Sequence, residues 1–395
     1  MTAIPIYLQA QSCVCALGDT PDAIRAALWA DTPSGVAPTE LHTPGRMLNL
    51  GCVTTPLPSL DDLPENQRSR NNALLLAALA PLRAPVQAAI DRFGPQRVAV
   101  VLGVSTAGLD EGVAAVRQVH AGFGWPKGYD YALQEMGNAA QCVARQLGVA
   151  GPAYVISTAC SSGAKALATG ARLLRSGLVD AVVAGGGDAL SGFTIAGFSG
   201  LDAVSAERCN PLSANRAGIN IGEGAALFLM GRDEGPVRLA GWGESADAHH
   251  MSAPEPSGRG AAEAMRRALA RAGVAPGEVD YVNLHGTATP QNDAMESLAV
   301  ERVLGRDVPV SSTKPLTGHA LAAAGAIEAA FAWHALVDNP TGRLPVHWWD
   351  GVADPALPAL RAVAPGMALS RPLRHVLSNS FAFGGSNASL LFARP

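Results

Sequence analysis

Lysine is nearly absent from this chain. Only Lys127, Lys165 and Lys314 occur among 395 residues, every other basic residue being arginine. Aromatic residues reach only 5% and charged residues 16%, against 48% hydrophobic. So little charge beside so much apolar content excludes an intrinsically disordered chain. The 29 basic and 33 acidic residues leave a formal charge of −4, which excludes a broad cationic surface for nucleic acid. No basic residue precedes Arg25, so no secretory signal is expected. No apolar run is expected to reach the ~18 residues of a membrane span, since the best stretch, 320–337, is interrupted by Glu328 and His334. The six cysteines (13, 15, 52, 142, 160 and 209) are scattered, and only Cys13 and Cys15 are neighbours, a poor basis for disulfides or a metal site. These absences leave a cytoplasmic globular protein with a large core and two or three domains, on a prior of roughly 150 residues each.

Valine- and isoleucine-rich runs alternate with Ala/Arg/Leu-rich stretches, the pattern of an α/β protein whose sheet is covered. The pattern predicts strands over 97–103, 154–158, 180–185, 237–242, 279–284, 374–378 and 388–392. It predicts helices over 161–176, 260–272, 298–304 and 320–337. Gly185-Gly-Gly187 lacks dinucleotide-loop spacing and reads as a tight turn after a strand. Segments 31–72 and 340–372, rich in proline and polar residues, read as surface loops. Gly222 to Leu229 and Gly385 to Phe392 both run from glycine through small residues into an apolar strand, a weak sign of internal duplication.

Three segments carry chemistry. In Ser157-Thr-Ala-Cys160-Ser-Ser-Gly163 a strand runs into a helix through cysteine, where the positive helix end would favour a thiolate. Cys160 is thus either a nucleophile or a small residue buried among alanines and serines. Asn283-Leu-His285-Gly-Thr-Ala-Thr-Pro-Gln-Asn-Asp293 ends a strand in histidine, a loop anchor or an oxyanion donor. Thr287 and Thr289 there could bind an extended polar substrate. Ser311-Ser-Thr-Lys314-Pro-Leu-Thr-Gly-His319 sets a rare lysine five residues before a histidine. In the apolar helix that follows, Glu328 needs a partner, and Lys314 is one candidate. His249-His250 has no further ligand at helical spacing and reads as a pocket or core feature. Trp348-Trp349 reads as a packed loop. Arg266, Arg267 and Arg271 read as a solvated face or a docking face for an acidic protein.

TACSSG, LHGTATPQND, STKPLTGHALAAAGAIE and SNSFAFGGSNAS together, in this order and spacing, resemble the motifs of elongating β-ketoacyl-acyl-carrier-protein synthases. The resemblance covers essentially the whole chain. It implies a thiolase-like α/β fold with five layers, αβαβα, and two pseudo-duplicated halves, 1–235 carrying Cys160 and 236–395 carrying His285, Lys314 and His319. By the same resemblance Cys160 takes the acyl chain from a carrier's phosphopantetheine arm, and the backbone amides of Cys160 and Phe381 bind the oxyanion. His285 and His319 donate Nε2–H to the enolate left when a malonyl group decarboxylates. Lys314 and Glu328 support the histidines, Thr287 and Thr289 hold the pantetheine arm, Phe381 gates the pocket, and Phe383 and Ser252 contact substrate. The resemblance implies no metal and no bound organic cofactor. Acyl carrier protein is the implied partner, with assembly as a homodimer or as a heterodimer with a ketosynthase-like chain. A non-catalytic subunit of such a heterodimer is the alternative, against which the retained Cys160 stands. An initiating synthase would carry asparagine where His319 stands, and a thiolase would carry a second cysteine near the C-terminus.

The chain departs from the family's RPFD…RDGF pattern at Ser213, Ala217 and Ile219, which replace two acids and an aromatic. Its histidine segments look closer to synthases of specialised pathways, such as those of aryl-polyene pigments. Loss of bulk and fixed charge at the mouth should suit a stiff acyl chain, which also loses less rotamer freedom on binding. Conjugated acyl carriers are therefore expected to acylate Cys160 faster than saturated ones of equal length. Equal rates, measured by intact mass on the same carrier, would refute this.

Overall fold

The computed structural model describes residues 4–395. Its strands are β1 (Tyr7–Cys15), β2 (Ala37–Thr39), β3 (Leu48–Leu50), β4 (Val98–Gly103), β5 (Ala153–Ile156), β6 (Ala181–Asp188), β7 (Gly224–Gly231), β8 (Val237–Ala246), β9 (Tyr281–Asn283), β10 (Pro309–Ser311), β11 (Arg361–Ala362), β12 (His375–Ala382) and β13 (Ser386–Ala393). Its helices are α1 (Pro21–Leu28), α2 (Arg70–Leu79), α3 (Arg83–Phe93), α4 (Leu109–His120), α5 (Gly137–Leu147), α6 (Ser162–Arg175), α7 (Gly192–Ser199), α8 (Arg259–Ala272), α9 (Pro290–Leu304), α10 (Lys314–Thr317) and α11 (Ala324–Leu336).

Eleven strands are hydrogen-bonded in the order β11-β10-β9-β12-β13-β8-β1-β7-β6-β4-β5. The weak link is β1 with β8, joined only through Tyr7 with Arg238 and Leu8 with Val237. Outward from that link the same arrangement appears twice. β1-β7-β6-β4-β5 and β8-β13-β12-β9-β10 each place their first, fifth, fourth, second and third strands in that order. The first two pairings in each run are antiparallel and the last two parallel. The two glycine-to-apolar strings of the sequence fall on the equivalent strands β7 and β13.

Helices α6 and α11, each following the third strand of its run, lie between the two sheets and share one apolar cluster with strands of both. All thirteen residues of α11 are buried, Glu328 and His334 included, which explains an apolar sequence without a polar face. Helices α2, α3 and α5 cover the outside of the first sheet, and α8 and α9 that of the second. The result is the layered αβαβα arrangement of the thiolase-like fold.

Three expectations need correction. Gly185, Gly186 and Gly187 lie inside β6 rather than in a turn. A Cβ on Gly185 would sit 1.9 Å from Ala226 O, so the bare backbone lets β7 approach. Helix α9 begins at Pro290, not near Leu298, because proline suits a first helical position. The helical run Arg70–Phe93 is long and apolar enough to cross a membrane by length and composition alone. Here it is α2 and α3 joined by a short 3₁₀ turn, with eight of the ten α2 residues buried against the sheet.

The starts of α6 and α11 cross at glycines in the same second helical position of each. A Cβ on Gly163 would lie 2.8 Å from Ala322 O and 2.9 Å from Ala326 N, and one on Gly325 would lie 3.0 Å from Ala164 N. Gly163→Val is expected to cost at least the ~1–3 kcal/mol of core overpacking in urea unfolding. Gly277→Val, which meets nothing within 4 Å, should be close to neutral.

Candidate active site

Cys160 sits in the short link between β5 and α6, where Ala159 takes a left-handed φ of 50°. The two serines after it lace this turn. Ser161 Oγ donates to Thr158 O at 2.8 Å, and Ser162 Oγ donates to Ala159 O at 2.6 Å while accepting from Thr158 N at 2.8 Å. The thiol is 5% exposed. Burial pushes its pKa up to about 11, against the opposing pull of the Lys314 charge and of the Phe383 and Cys160 backbone amides. The resting group is therefore a neutral thiol, not the thiolate that the helix start suggested, because desolvation outweighs the helix dipole.

His319 follows α10 and is held by the other half of the chain. Its backbone N donates to Asn220 O at 2.6 Å, and its O accepts from Gly222 N at 3.0 Å. Its Nε2 lies 2.9 Å from Cys160 Sγ. His285 follows β9, where the buried Glu296 of α9 accepts from the His285 and Gly286 amides at 2.8 and 2.7 Å. The two imidazoles meet edge to face with centroids 5.3 Å apart. Lys314 Nζ is 3.5 Å from His285 Nδ1 and 2.5 Å from Glu328 Oε1. An ammonium beside Nδ1 makes that nitrogen the acceptor and leaves the His285 proton on Nε2. Burial first, and then the Lys314 charge, hold both histidines well below their ordinary pKa. Burial raises Glu328 to about 7, with Lys314 opposing.

Cys160, His285 and His319 line a cavity of about 310 Å³ together with Thr287, Thr289, Ser252, Phe381 and Phe383. Thr287 and Thr289 hydroxyls lie 3.0 Å apart. Phe381 packs on the edge of His285, with centroids 6.3 Å apart. The assignment of its amide to the oxyanion position is corrected, because the backbone N–H that reaches the sulfur belongs to Phe383. Phe381 lies within β12 opposite Asn387, and Phe383 lies in the turn beyond the strand.

The altered loop divides. Ile219 lines the cavity, whereas Ala217 is solvent-exposed. Ser213 is buried and donates to Asp350 Oδ1 at 2.8 Å, and Asn215 donates to Oδ2 at 2.8 Å. Partial burial of Asp350 is outweighed by hydrogen bonds from Asn215, the Val352 amide, Ser213 and Asn210, which hold it near 2. Fixed charge is therefore not lost there, since Asp350 supplies it from a distant segment.

Buried carboxylates that the sequence reading missed hold the loops of the site. Asp188 accepts from the Ser105, Thr106 and Ala322 amides at 2.7, 2.9 and 2.8 Å. Asp293 accepts from the Leu212 amide at 2.8 Å, and Glu223 from Val53 and Leu190 at 3.0 and 3.1 Å. Acids flanked by glycine or amide residues in GGGD, GEGA and QND were the available signal. His249 and His250 are exposed. His347 is buried, its Nδ1 accepting a hydrogen bond from the Ser312 amide at 3.1 Å and its Nε2 donating to Pro211 O at 3.0 Å. Trp348 is half-buried against the core. Arg267 and Arg271 are engaged with Glu263 and with the Trp242 ring. Cys160, His285 and His319 offer ligand atoms within 4.8 Å of one another, the spacing a metal ion needs, although the adjacent Lys314 ammonium opposes a cation there.

A duplicated αβαβα fold with a cysteine at the start of one central helix, faced by two histidines from the other half, defines a thiolase-like condensing-enzyme architecture. Residues 70–235 match the family description "Beta-ketoacyl synthase, N-terminal domain" and residues 237–340 match "Beta-ketoacyl synthase, C-terminal domain". The chain belongs to the beta-ketoacyl synthase family. It is 38% identical to 3-oxoacyl-[acyl-carrier-protein] synthase 2 of Rhizobium meliloti over 62% of its length. It is 37% identical to the mitochondrial 3-oxoacyl-[acyl-carrier-protein] synthase of Arabidopsis thaliana over 64%. The chain spans 61% and 58% of the length of these two relatives. Among solved structures it is similar to a chain of the ketosynthase–chain length factor complex from Xenorhabdus doucetiae, at 43% identity, 99% and 98% coverage and a TM-score of 0.93. It also resembles a beta-ketoacyl synthase from Burkholderia phymatum, at 27% identity, 99% coverage of both chains and a TM-score of 0.86.

The Lys314–Glu328 pair generates a prediction. Lys314→Met leaves a carboxylate buried without its partner and should cost about 3–5 kcal/mol in denaturant unfolding. The double variant Lys314→Met/Glu328→Leu should recover most of that loss. Full stability of the single variant would show the pair to be dispensable.

Proposed function

We propose that the chain is a β-ketoacyl-acyl-carrier-protein synthase, its two halves meeting near residue 235, and that Cys160, His285 and His319 carry its chemistry. The observation that carries this reading is the 2.9 Å approach of His319 Nε2 to Cys160 Sγ in the lining of a cavity. In the first step the sulfur attacks an acyl thioester delivered on the phosphopantetheine arm of an acyl carrier protein. The new C–S bond forms as the carrier's C–S bond breaks, and the Cys160 proton ends on the departing thiol. The Phe383 and Cys160 amides receive the oxyanion of that step.

In the second step a malonyl carrier loses carbon dioxide, and its thioester oxygen becomes an enolate. His285 Nε2–H stabilises that oxygen together with His319. The neutral state that burial imposes on both rings leaves them hydrogen-bond donors rather than acids that would trap the enolate as its protonated form. The carbanion then forms a C–C bond to the acyl carbonyl, the C–S bond to Cys160 breaks, and the thiolate takes up one proton. The products are a 3-oxoacyl carrier and free enzyme. Thr287 and Thr289 hold the arm, and Lys314, anchored by Glu328, orients His285.

The similarity to chains of ketosynthase–chain length factor complexes, one from Xenorhabdus doucetiae and one described as the ishigamide ketosynthase/chain length factor, supports a heterodimer and use in a specialised polyketide pathway. The test separates the two steps. Cys160→Ala should form no acyl adduct by intact mass while remaining folded. His319→Ala should still acylate yet release carbon dioxide from malonyl carrier roughly 100–1000-fold more slowly, the usual cost of one oxyanion donor. A wild-type adduct yield on Cys160→Ala would overturn the assignment.

A further inference from the structure

The cavity at Cys160 has an interior and a rim. Cys160, His285 and His319 are buried, whereas Leu201, Asp202, Pro290 and Gln291 line the same cavity and are exposed. Asp202 is the only residue of this lining with a formal charge, and no lysine or arginine stands beside it there. On the reading above, a phosphorylated arm therefore meets an acid at the rim rather than a cation.

The backbone fixes that acid in place. Asp202 has a left-handed φ of 52°, uncommon for a residue with a side chain, although aspartate tolerates it better than most. It follows α7, where the Asp202 amide donates to Ser199 O at 3.0 Å and the Ala203 amide to Phe198 O at 3.1 Å. Ile219 clamps the other side, its amide donating to Ala203 O at 2.7 Å and its carbonyl accepting from Ser205 N at 2.8 Å. Gly218 permits this approach, since a Cβ there would lie 2.3 Å from Ala203 O. Strained residues persist where their surroundings over-determine them, and they cluster at sites of function. The cations of neighbouring segments are committed elsewhere. Arg46 donates to Ser199 Oγ at 3.3 Å, Arg208 to the carbonyls of Ser34, Val36 and Pro315, and Arg216 to Asp354 at 2.6 Å. None of the three pairs with Asp202, which forms no salt bridge and no side-chain hydrogen bond among the described residues.

We infer that Asp202 is a charge filter at the rim, disfavouring donors that carry several negative charges outside the cavity relative to a donor tethered to a carrier protein. The inference rests on the condensing reading above and names a specificity-determining residue for it. A free coenzyme A thioester and a carrier thioester present the same arm to Cys160. They differ beyond the rim, where coenzyme A adds a diphosphate and a ribose phosphate and the carrier adds a protein. Like charges a few ångströms apart repel even in water, and several phosphate charges act together on one carboxylate. The carrier offsets its single phosphodiester with protein contacts outside the cavity, which coenzyme A cannot make. A repulsive group at the mouth therefore separates the two donors at little cost to the tethered one.

Two thiol reagents of similar size, anionic sulfonatoethyl and cationic trimethylammonioethyl methanethiosulfonate, test the charge of the rim without acyl chemistry. Their rates of mixed-disulfide formation at Cys160 are read by intact mass, with Cys160→Ala subtracting the other cysteines. Asp202→Asn keeps the shape and tolerates a left-handed φ. It is expected to raise the anionic-to-cationic rate ratio at least about threefold at low salt. The gain should shrink at high salt, and Asp202→Lys should exceed it. A ratio cancels any change in the reactivity of the thiol itself. With the same acyl chain on both donors, Asp202→Asn should also raise acylation of Cys160 by coenzyme A thioester relative to carrier thioester, again about threefold. A reagent ratio unmoved by Asp202→Asn, a change insensitive to salt, or a donor ratio that stays fixed would each overturn the proposal. Absence of an acyl adduct from either donor, with the reagent ratio still set by residue 202, would strike the condensing reading alone.

Discussion

Two helix starts share one point inside this molecule, and the rest of the active site is placed by that crossing. Gly163 and Gly325 each lie one residue into a central helix, where a side chain would collide with the backbone of the other helix. The contact fixes the Cys160 turn at one helix start and the His319 segment just before the other. It also buries both in the layer between two sheets. Cys160 therefore comes from one half of the duplicated fold and His285 and His319 from the other. The β1–β8 link that joins the sheets contributes little to this placement, because it consists of two residue pairs. The central layer holds the halves in register.

Burial then sets the electrostatics. Desolvation keeps the thiol and both imidazoles neutral, and the one ammonium among them is matched by Glu328 at 2.5 Å. On the proposed reading, a neutral thiol suits a site that meets its acyl donor on a carrier, because attack can wait for a carbonyl to reach the amides of Phe383 and Cys160. Asp188, Glu223, Asp293 and Glu296, all buried, spend their lone pairs on backbone amides of the loops around the site. They tie together segments far apart in sequence, as when Asp188 of the first half accepts from Ala322 of the second. Catalytic geometry here depends on carboxylates that never meet substrate.

Much of this was legible beforehand. The strand and helix periodicities placed most elements of both sheets, since an α/β sheet buried on both faces leaves continuous apolar runs. The four motifs named the residues that converge on Cys160, because each motif is short and its backbone path is local. Where the reading failed, the competing force was tertiary. The three glycines of β6 looked like a turn, and they are a strand whose neighbour needs bare backbone. Phe381 looked like the source of the oxyanion amide, and the turn after β12 brings Phe383 there instead. The altered loop looked stripped of charge until Asp350 was found beside Ser213.

The sequence by itself determined the class of fold and singled out Cys160, His285 and His319, which the fold brings together, because periodicity and short motifs encode local geometry that needs no partner. It also carried the duplication, though faintly, in two strings that only the repeated strand order makes meaningful. The tertiary structure alone decided the protonation state of the site, since desolvation depends on how many layers enclose a group and no spacing records that. It decided as well which buried acids hold which loops, and which acid stands unpaired at the rim of the cavity. Each of these is a relation between segments far apart in the chain, and folding, not sequence proximity, brings them together.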